Sequence, residues 1–387
     1  MKRRGSEMNT STKFNGASHG MGQTVLVLQG GGALGAYQAG VYQALHEAGI
    51  EPDWVIGTSI GAINASLIAG NEPQDRLKRL QEFWNGVHRG FWAESVHPLP
   101  FVGPALANIF TMSTGIDGFF RPNPLAWAGM HSPLGGDQAA FYSTDALQRT
   151  LTELVDFNLL NQGRPRVTVG AANVSTGAMH YFDSRASGLT VKHIMASGAL
   201  PPAFPAIRID GELYWDGGIL SNTPVEAVFD DNPRRNSLVF AVHIWNPGEG
   251  EPDTLWKVFG RQKDVQYASR AKALIARQKQ IHKLRHIIAE LARRVPEQQA
   301  NDGVVQEMAS YGCLTRMHVV RLLAPPFAGD DHSKDIDFSP RTVRTRWAAG
   351  YEETQRVLAQ RPWDGEFDPL EGFILHEASG GEMVAEG

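Results

Sequence analysis

Residues Val25 to Gly40 read VLVLQGGGALGAYQAG, and Trp54 to Ala69 read WVIGTSIGAINASLIA; each is an apolar run, a glycine turn and a helical pattern. This succession constrains the fold more than any other feature, because continuous apolar strands separated by helices imply a parallel sheet covered on both faces. The class is therefore α/β. Downstream, Arg166 to Asn173, Met179 to Asp183 and Leu238 to Ile244 read as strands, and Pro73 to Trp84, Asp145 to Val155 and Val191 to Ala196 as helices. Asp210-Gly211 is a two-residue hairpin signal that delivers Glu212 to Trp215 as a strand, with Asp216 leaving its end.

The first glycine turn has two readings. Gly30, Gly32 and Gly35 satisfy G-x-G-x-x-G, the fingerprint of a dinucleotide-binding turn, but that use needs an acid at the end of the second strand for the ribose. Asp53 precedes that strand, and its end is occupied by Gly57, Thr58, Ser59, Ile60 and Gly61, which is G-x-S-x-G. Between a strand and a helix this is the context of a nucleophile elbow: the glycines leave room for a tight turn and the helix start adds positive potential. The glycine loop then binds a transient oxyanion rather than a pyrophosphate, and no nicotinamide cofactor is expected.

Ser59 needs a base. Asp216, directly before Gly217 and Gly218, suits a carboxylate that approaches Ser59 by itself; Asp216 with His243 on its apolar strand would instead follow the order Ser, Asp, His of the α/β-hydrolases. The segments GGGALG, GTSIG, ASGALPPAFP and DGG, in that order between Thr24 and Trp245, resemble the patatin-like phospholipase family. The resemblance implies a three-layer α/β/α sandwich with a largely parallel central sheet. It also implies a Ser-Asp dyad of Ser59 and Asp216, an oxyanion loop of Gly30, Gly31, Gly32 and Gly35, and motif glycines Gly57, Gly61, Gly217 and Gly218. Leu34 stands where the family often carries Arg or Lys. Hydrolysis of phospholipid or lysophospholipid acyl esters is the expected activity, with a hydroxybutyrate ester or oligoester, or a non-catalytic lipid-binding scaffold, as the other readings.

The remaining features bound the setting. The formal charge of −5 over 387 residues argues against a nucleic-acid partner. One cysteine, Cys313, excludes an internal disulfide and fits a reducing, cytoplasmic compartment. The thirteen histidines show no zinc-ligand spacing, so no metal or cofactor is expected. Residues 1–23 have a basic start without an apolar h-region and read as a disordered tail. Residues 24–249 form the expected hydrolase domain, and 250–387 an expected helical C-terminal domain resembling one of unassigned function fused to some bacterial members of that family. Within the first, Phe91, Trp92, Phe101, Phe110, Phe119, Phe120 and Trp127 are scattered among prolines and glycines, and either roof a lipid-binding cleft or pack over the sheet edge. Within the second, Val265, Ala268, Ile275, Ile281, Leu284, Ile288, Leu291 and Val295 trace an apolar stripe. Arg270 to Arg294 carries eight Lys and Arg against Glu290, which packs on the main domain or touches anionic headgroups at the membrane periphery.

Overall fold

Gln23–Leu28 (β1) is buried along nearly its whole length because both of its faces are covered, and its alternation sorts the core. Leu26 and Leu28 join one apolar cluster, whereas Val25 and Val27 join a second on the opposite face. The computed structural model describes residues 22–87, 111, 113–128, 131–186, 188–247, 251–327, 330–368, 371–379 and 382–386, with backbone alone at 127–128, 269–272, 378–379 and 382–386. The expected tail up to residue 21, Phe91, Trp92, Phe101, Phe110 and the side chain of Trp127 lie outside the described residues.

The strands are β1, β2 (Trp54–Thr58), β3 (Arg121–Pro122), β4 (Tyr142–Ser143), β5 (Arg166–Asn173), β6 (Met179–Asp183), β7 (Ile207–Ile209), β8 (Glu212–Asp216), β9 (Ser237–His243), β10 (Met317–Leu323), β11 (Phe373–Ser379) and β12 (Glu382–Glu386). The main sheet runs β12-β11-β10-β9-β1-β2-β5-β8-β7, with β6 also on β5. From β11 to β5 every neighbouring pair is parallel; β6, β7, β8 and β12 add antiparallel margins. The chain builds outward from β1 through β2 to β5, then returns to the other side of β1 with β9. Ligand sites of open α/β sheets form at such a reversal, beyond the carboxyl ends of the strands.

Helices Ala36–Glu47 (α1), Ile60–Ala69 (α2), Pro73–Gly86 (α3), Asp145–Leu154 (α4), Val191–Ser197 (α5), Leu255–Arg293 (α6) and Pro340–Gln360 (α7) supply the outer layers. Tyr37 and Val41 of α1, Ile63 of α2 and Val343 and Val357 of α7 pack on the face of Leu26 and Leu28, while Ile275 of α6 packs on the face of Val25 and Val27. Two glycines let α1 and α7 touch backbone to backbone. A Cβ on Gly40 would stand 1.9 Å from the Trp347 carbonyl oxygen, and one on Gly350 2.0 Å from that of Tyr37. Gly40→Ala is therefore expected to lower stability by about 1–3 kcal/mol, the usual cost of overpacking, read as an earlier urea midpoint.

The C-terminal part supplies the expected helices and adds strands to the main sheet. It contributes α6 and α7 but also β10 to β12, and β10 pairs with β9 along its full length. The run HVVRLL is apolar enough to be covered on both faces, and pairing with β9 on one side and β11 on the other satisfies its backbone. On α6 the buried face is Ala268, Ile275, Gln278, His282 and His286, whereas Val265, Leu284 and Leu291 of the expected stripe are exposed. The face is chosen by a tertiary bond: His282 Nε2 donates to the Thr315 carbonyl at 2.7 Å, and the ring packs on Phe229.

Candidate active site

Ser59 sits where β2 ends and α2 begins, in a conformation rare for a side-chain-bearing residue, with φ 56° and ψ −124°. Such geometry costs about 1–3 kcal/mol and persists only where neighbours enforce it. The Ser59 amide donates to both the carbonyl (3.1 Å) and the hydroxyl (3.0 Å) of Ser197, and that hydroxyl donates to the Gly170 carbonyl at 2.6 Å. The flanking glycines are required by contact: a Cβ on Gly57 would meet the Gly61 carbonyl at 2.3 Å, and one on Gly61 the Leu28 carbonyl oxygen at 2.2 Å.

Asp216 arrives from β8, separated from β2 by β5 alone. The hairpin forms as its sequence directs, Asp210 and Gly211 taking φ of 48° and 88° between β7 and β8. The Asp216 amide donates to the Ala199 carbonyl at 2.9 Å, and Oδ1 accepts the Gly218 amide at 2.7 Å. Asp216 is 3% exposed. Burial pushes it up from its ordinary 3.8 to about 6, against the lowering effect of hydrogen bonding from the Ser59 hydroxyl and the Gly218 amide. Gly217 is pressed on the sheet, where a Cβ would stand 2.4 Å from the Gly170 carbonyl oxygen.

Ser59, Asp216, Gly30, Gly31, Gly32 and Gly218 line one cavity of about 120 Å³. The Gly30 carbonyl accepts from Asn222 Nδ2 (2.9 Å) and Trp245 Nε1 (2.7 Å), two side chains that also line the cavity. In a planar peptide the carbonyl and the following N–H are held together, so two donors on Gly30 O fix the orientation of the Gly31 N–H. The Gly30 amide is itself committed to the Asn222 carbonyl at 3.0 Å. Among the described residues the Gly31 and Gly32 amides carry no hydrogen bond. Gly32 has φ +55°, and a Cβ there would collide with the Asp335 carbonyl oxygen at 2.2 Å. That same oxygen accepts the Ala33 amide at 2.8 Å, so the C-terminal region braces the loop. Gly35 lies behind the cavity: its carbonyl accepts Asn64 Nδ2 at 3.0 Å and a Cβ would strike Ile60. Leu34 is 1% exposed within the core, a position with no room for a hydrated charge.

Phe119 and Phe120 of the aromatic region reach the cavity wall and pack with Phe204 and Phe338, the Phe119–Phe338 centroids being 5.6 Å apart. His243 does not line it; this imidazole is buried on β9, pushed down to about 3 by burial and by Arg321. Asn222, Trp245 and Asp335 were not singled out in the sequence. Asn222 follows the Asp216 motif closely enough to draw attention, but the role of a main-chain oxygen at Asp335 has no side-chain signature. Among the described residues no group of three or more His, Cys, Asp or Glu could hold a metal ion, and no helix is long and apolar enough to cross a membrane.

The chain matches the family model described as patatin-like phospholipase over residues 26–229 and one described as patatin phospholipase over 265–370. It is 25% identical over 269 residues to lysophospholipase NTE1 of Yarrowia lipolytica, covering 66% of this chain and 16% of that protein. Triacylglycerol lipase ptl3 of Schizosaccharomyces pombe is 33% identical over 106 residues, 27% of this chain and 22% of that protein. The chain thus spans less than a quarter of either relative. A solved structure, VipD from Legionella pneumophila, superposes with TM-score 0.37 at 15% identity over 88% of this chain and 67% of that one. With more than half of its length matched by the first model, and the strand-turn-helix and hairpin elements in place, this chain belongs to the patatin-like phospholipase family.

Proposed function

We propose that this protein is a serine acyl hydrolase of phospholipase A or lysophospholipase type, with Ser59 as nucleophile and Asp216 as its base. The observation that carries this reading is a strained, cavity-facing serine beside a buried carboxylate and two unpaired backbone amides. A scaffold that only binds lipid gives no account of the strain. Asp216 takes the Ser59 proton as Oγ attacks the ester carbonyl, and the Gly31 and Gly32 amides hold the tetrahedral oxyanion. The protonated carboxyl then delivers that proton to the departing alcohol as the ester C–O bond breaks. Water attacks the acyl-enzyme, giving one proton to Asp216, which returns it to Ser59 Oγ. Elevation to about 6 makes Asp216 a stronger base than an exposed aspartate while leaving it ionised at neutral pH.

Lipid acyl esters fit the apolar wall of Phe119, Phe120, Phe204 and Phe338, and the names of the relatives agree with that class. A fluorophosphonate, which adds covalently to an activated serine oxygen, is expected to label Ser59, read by mass spectrometry of the digested protein. Label on another residue, or none, sinks the reading. Asn222→Ala is expected to lower kcat about tenfold with little change in KM, because aiming the Gly31 amide matters chiefly once the oxyanion has formed. A rise in KM alone would assign Asn222 to substrate binding instead.

A further inference from the structure

A second cavity, of about 520 Å³, lies on the far side of the segment that follows Asp216, walled by Leu220, Thr223, Glu226, Leu274 and Arg277. Asn222 and Tyr267 contribute to the wall of both this cavity and the Ser59 cavity. Its size falls in the range of ordinary ligand sites, about 300–1,000 Å³. Three polar features are left for a ligand. Arg277 is exposed and makes no ion pair among the described residues. Thr223 is 2% exposed, and its hydroxyl has no hydrogen-bond partner. Glu226 lines the same space; its Oε1 accepts from the Tyr181 hydroxyl, its buried Oε2 has no hydrogen-bond partner, and it makes no ion pair with Arg277 among the described residues.

We infer that this cavity is the headgroup subsite of the ester hydrolase, built for a zwitterionic glycerophospholipid. A cation without an ion pair and a carboxyl without a cationic partner, on the wall of one cavity, are complementary to a phosphodiester carrying an ammonium group, and a headgroup can satisfy both at once. The Arg277 guanidinium takes the phosphate oxygens through its planar fork, with the Thr223 hydroxyl as a further donor. Glu226 and the face of Tyr267 take the ammonium end. The acyl ester then reaches Ser59 past Asn222 and Tyr267. A neutral hydroxybutyrate oligoester has no group to place against either charge.

The inference rests on the Ser59–Asp216 reading, and the test separates the two. The full-length protein is assayed on lysophosphatidylcholine and on a monoacylglycerol of the same chain length. In Arg277→Gln the ratio of kcat/KM values, lysophospholipid over monoacylglycerol, is expected to fall about tenfold through KM, equivalent to about 1.4 kcal/mol; Arg277→Lys recovers part of it. Glycerophosphocholine is expected to compete with the wild type and inorganic phosphate not, which distinguishes a headgroup from a bare phosphate site. An unchanged ratio, or inorganic phosphate competing as well as glycerophosphocholine, overturns the subsite. Turnover of 4-nitrophenyl butyrate that survives in Ser59→Ala overturns the dyad instead, whatever Arg277 does.

Discussion

Ser59→Ala is expected to reduce ester hydrolysis about 10⁴-fold or more, the scale on which removal of a catalytic nucleophile acts. The loss should fall on kcat with lipid binding retained, because the apolar wall and the glycine loop are untouched. The fold should survive, since the Ser59 contacts that enforce the turn are made by its main chain. Ser59→Gly sharpens the test. It removes the same oxygen but also releases the positive φ of 56°, so it should be equally inactive yet more stable than Ser59→Ala by about 1 kcal/mol. Urea unfolding of the two inactive variants measures this directly. Equal stability would show that the turn is not strained, and residual turnover near the wild-type level would remove Ser59 from the chemistry.

Asp216→Asn should cost about 10²–10⁴-fold in activity at neutral pH, the range for a general base. Two further readouts follow from the burial of this carboxyl. With its folded value near 6, the wild-type kcat/KM should rise with pH through about 6 and level off above it, because the base works only when ionised. Stability should run the other way. The folded state holds the proton more tightly than the unfolded chain, whose ordinary value is 3.8. Asp216 therefore contributes stability below about pH 4 that is lost as pH rises through about 6, a total of about 3 kcal/mol. Asn cannot ionise, so Asp216→Asn should be more stable than the wild type above pH 6 while nearly inactive. A variant both inactive and less stable at pH 8 would mean that Asp216 is held for structure, through Gly218, rather than for its basicity.

The elements most legible in the sequence are those specified by local chemistry. Apolar runs with a glycine turn gave β1, β2 and the helices after them; Asp210-Gly211 gave the β7–β8 hairpin; strands over 166–173 and 179–183 appear at the residues expected. Ser59 and Asp216 are legible for the same reason, since each stands in a turn whose glycines mark a backbone with no room for a Cβ. The buried face of α6 is not legible in this way. Polar Gln278, His282 and His286 lie inside while Leu284 and Leu291 lie outside, because a hydrogen bond to Thr315 and the ring of Phe229 outweigh the hydrophobic pattern.

The C-terminal region shows the same division at larger scale. Its composition reads as a separate helical appendage, but β10 extends the sheet beside β9, α7 locks onto α1 through Gly350 and Gly40, and the Asp335 carbonyl braces the glycine loop after β1. By itself the sequence determined the α/β class, the two turns and the positions of the proposed nucleophile and base in them, because these depend on residues near one another in the chain. The tertiary structure alone decided which amides are left unpaired among the described residues, which partners hold the Gly30 carbonyl and what lines the cavity. Those outcomes depend on main-chain atoms and on contacts between residues hundreds of positions apart, where the identity of a side chain carries no mark of the partner it will meet.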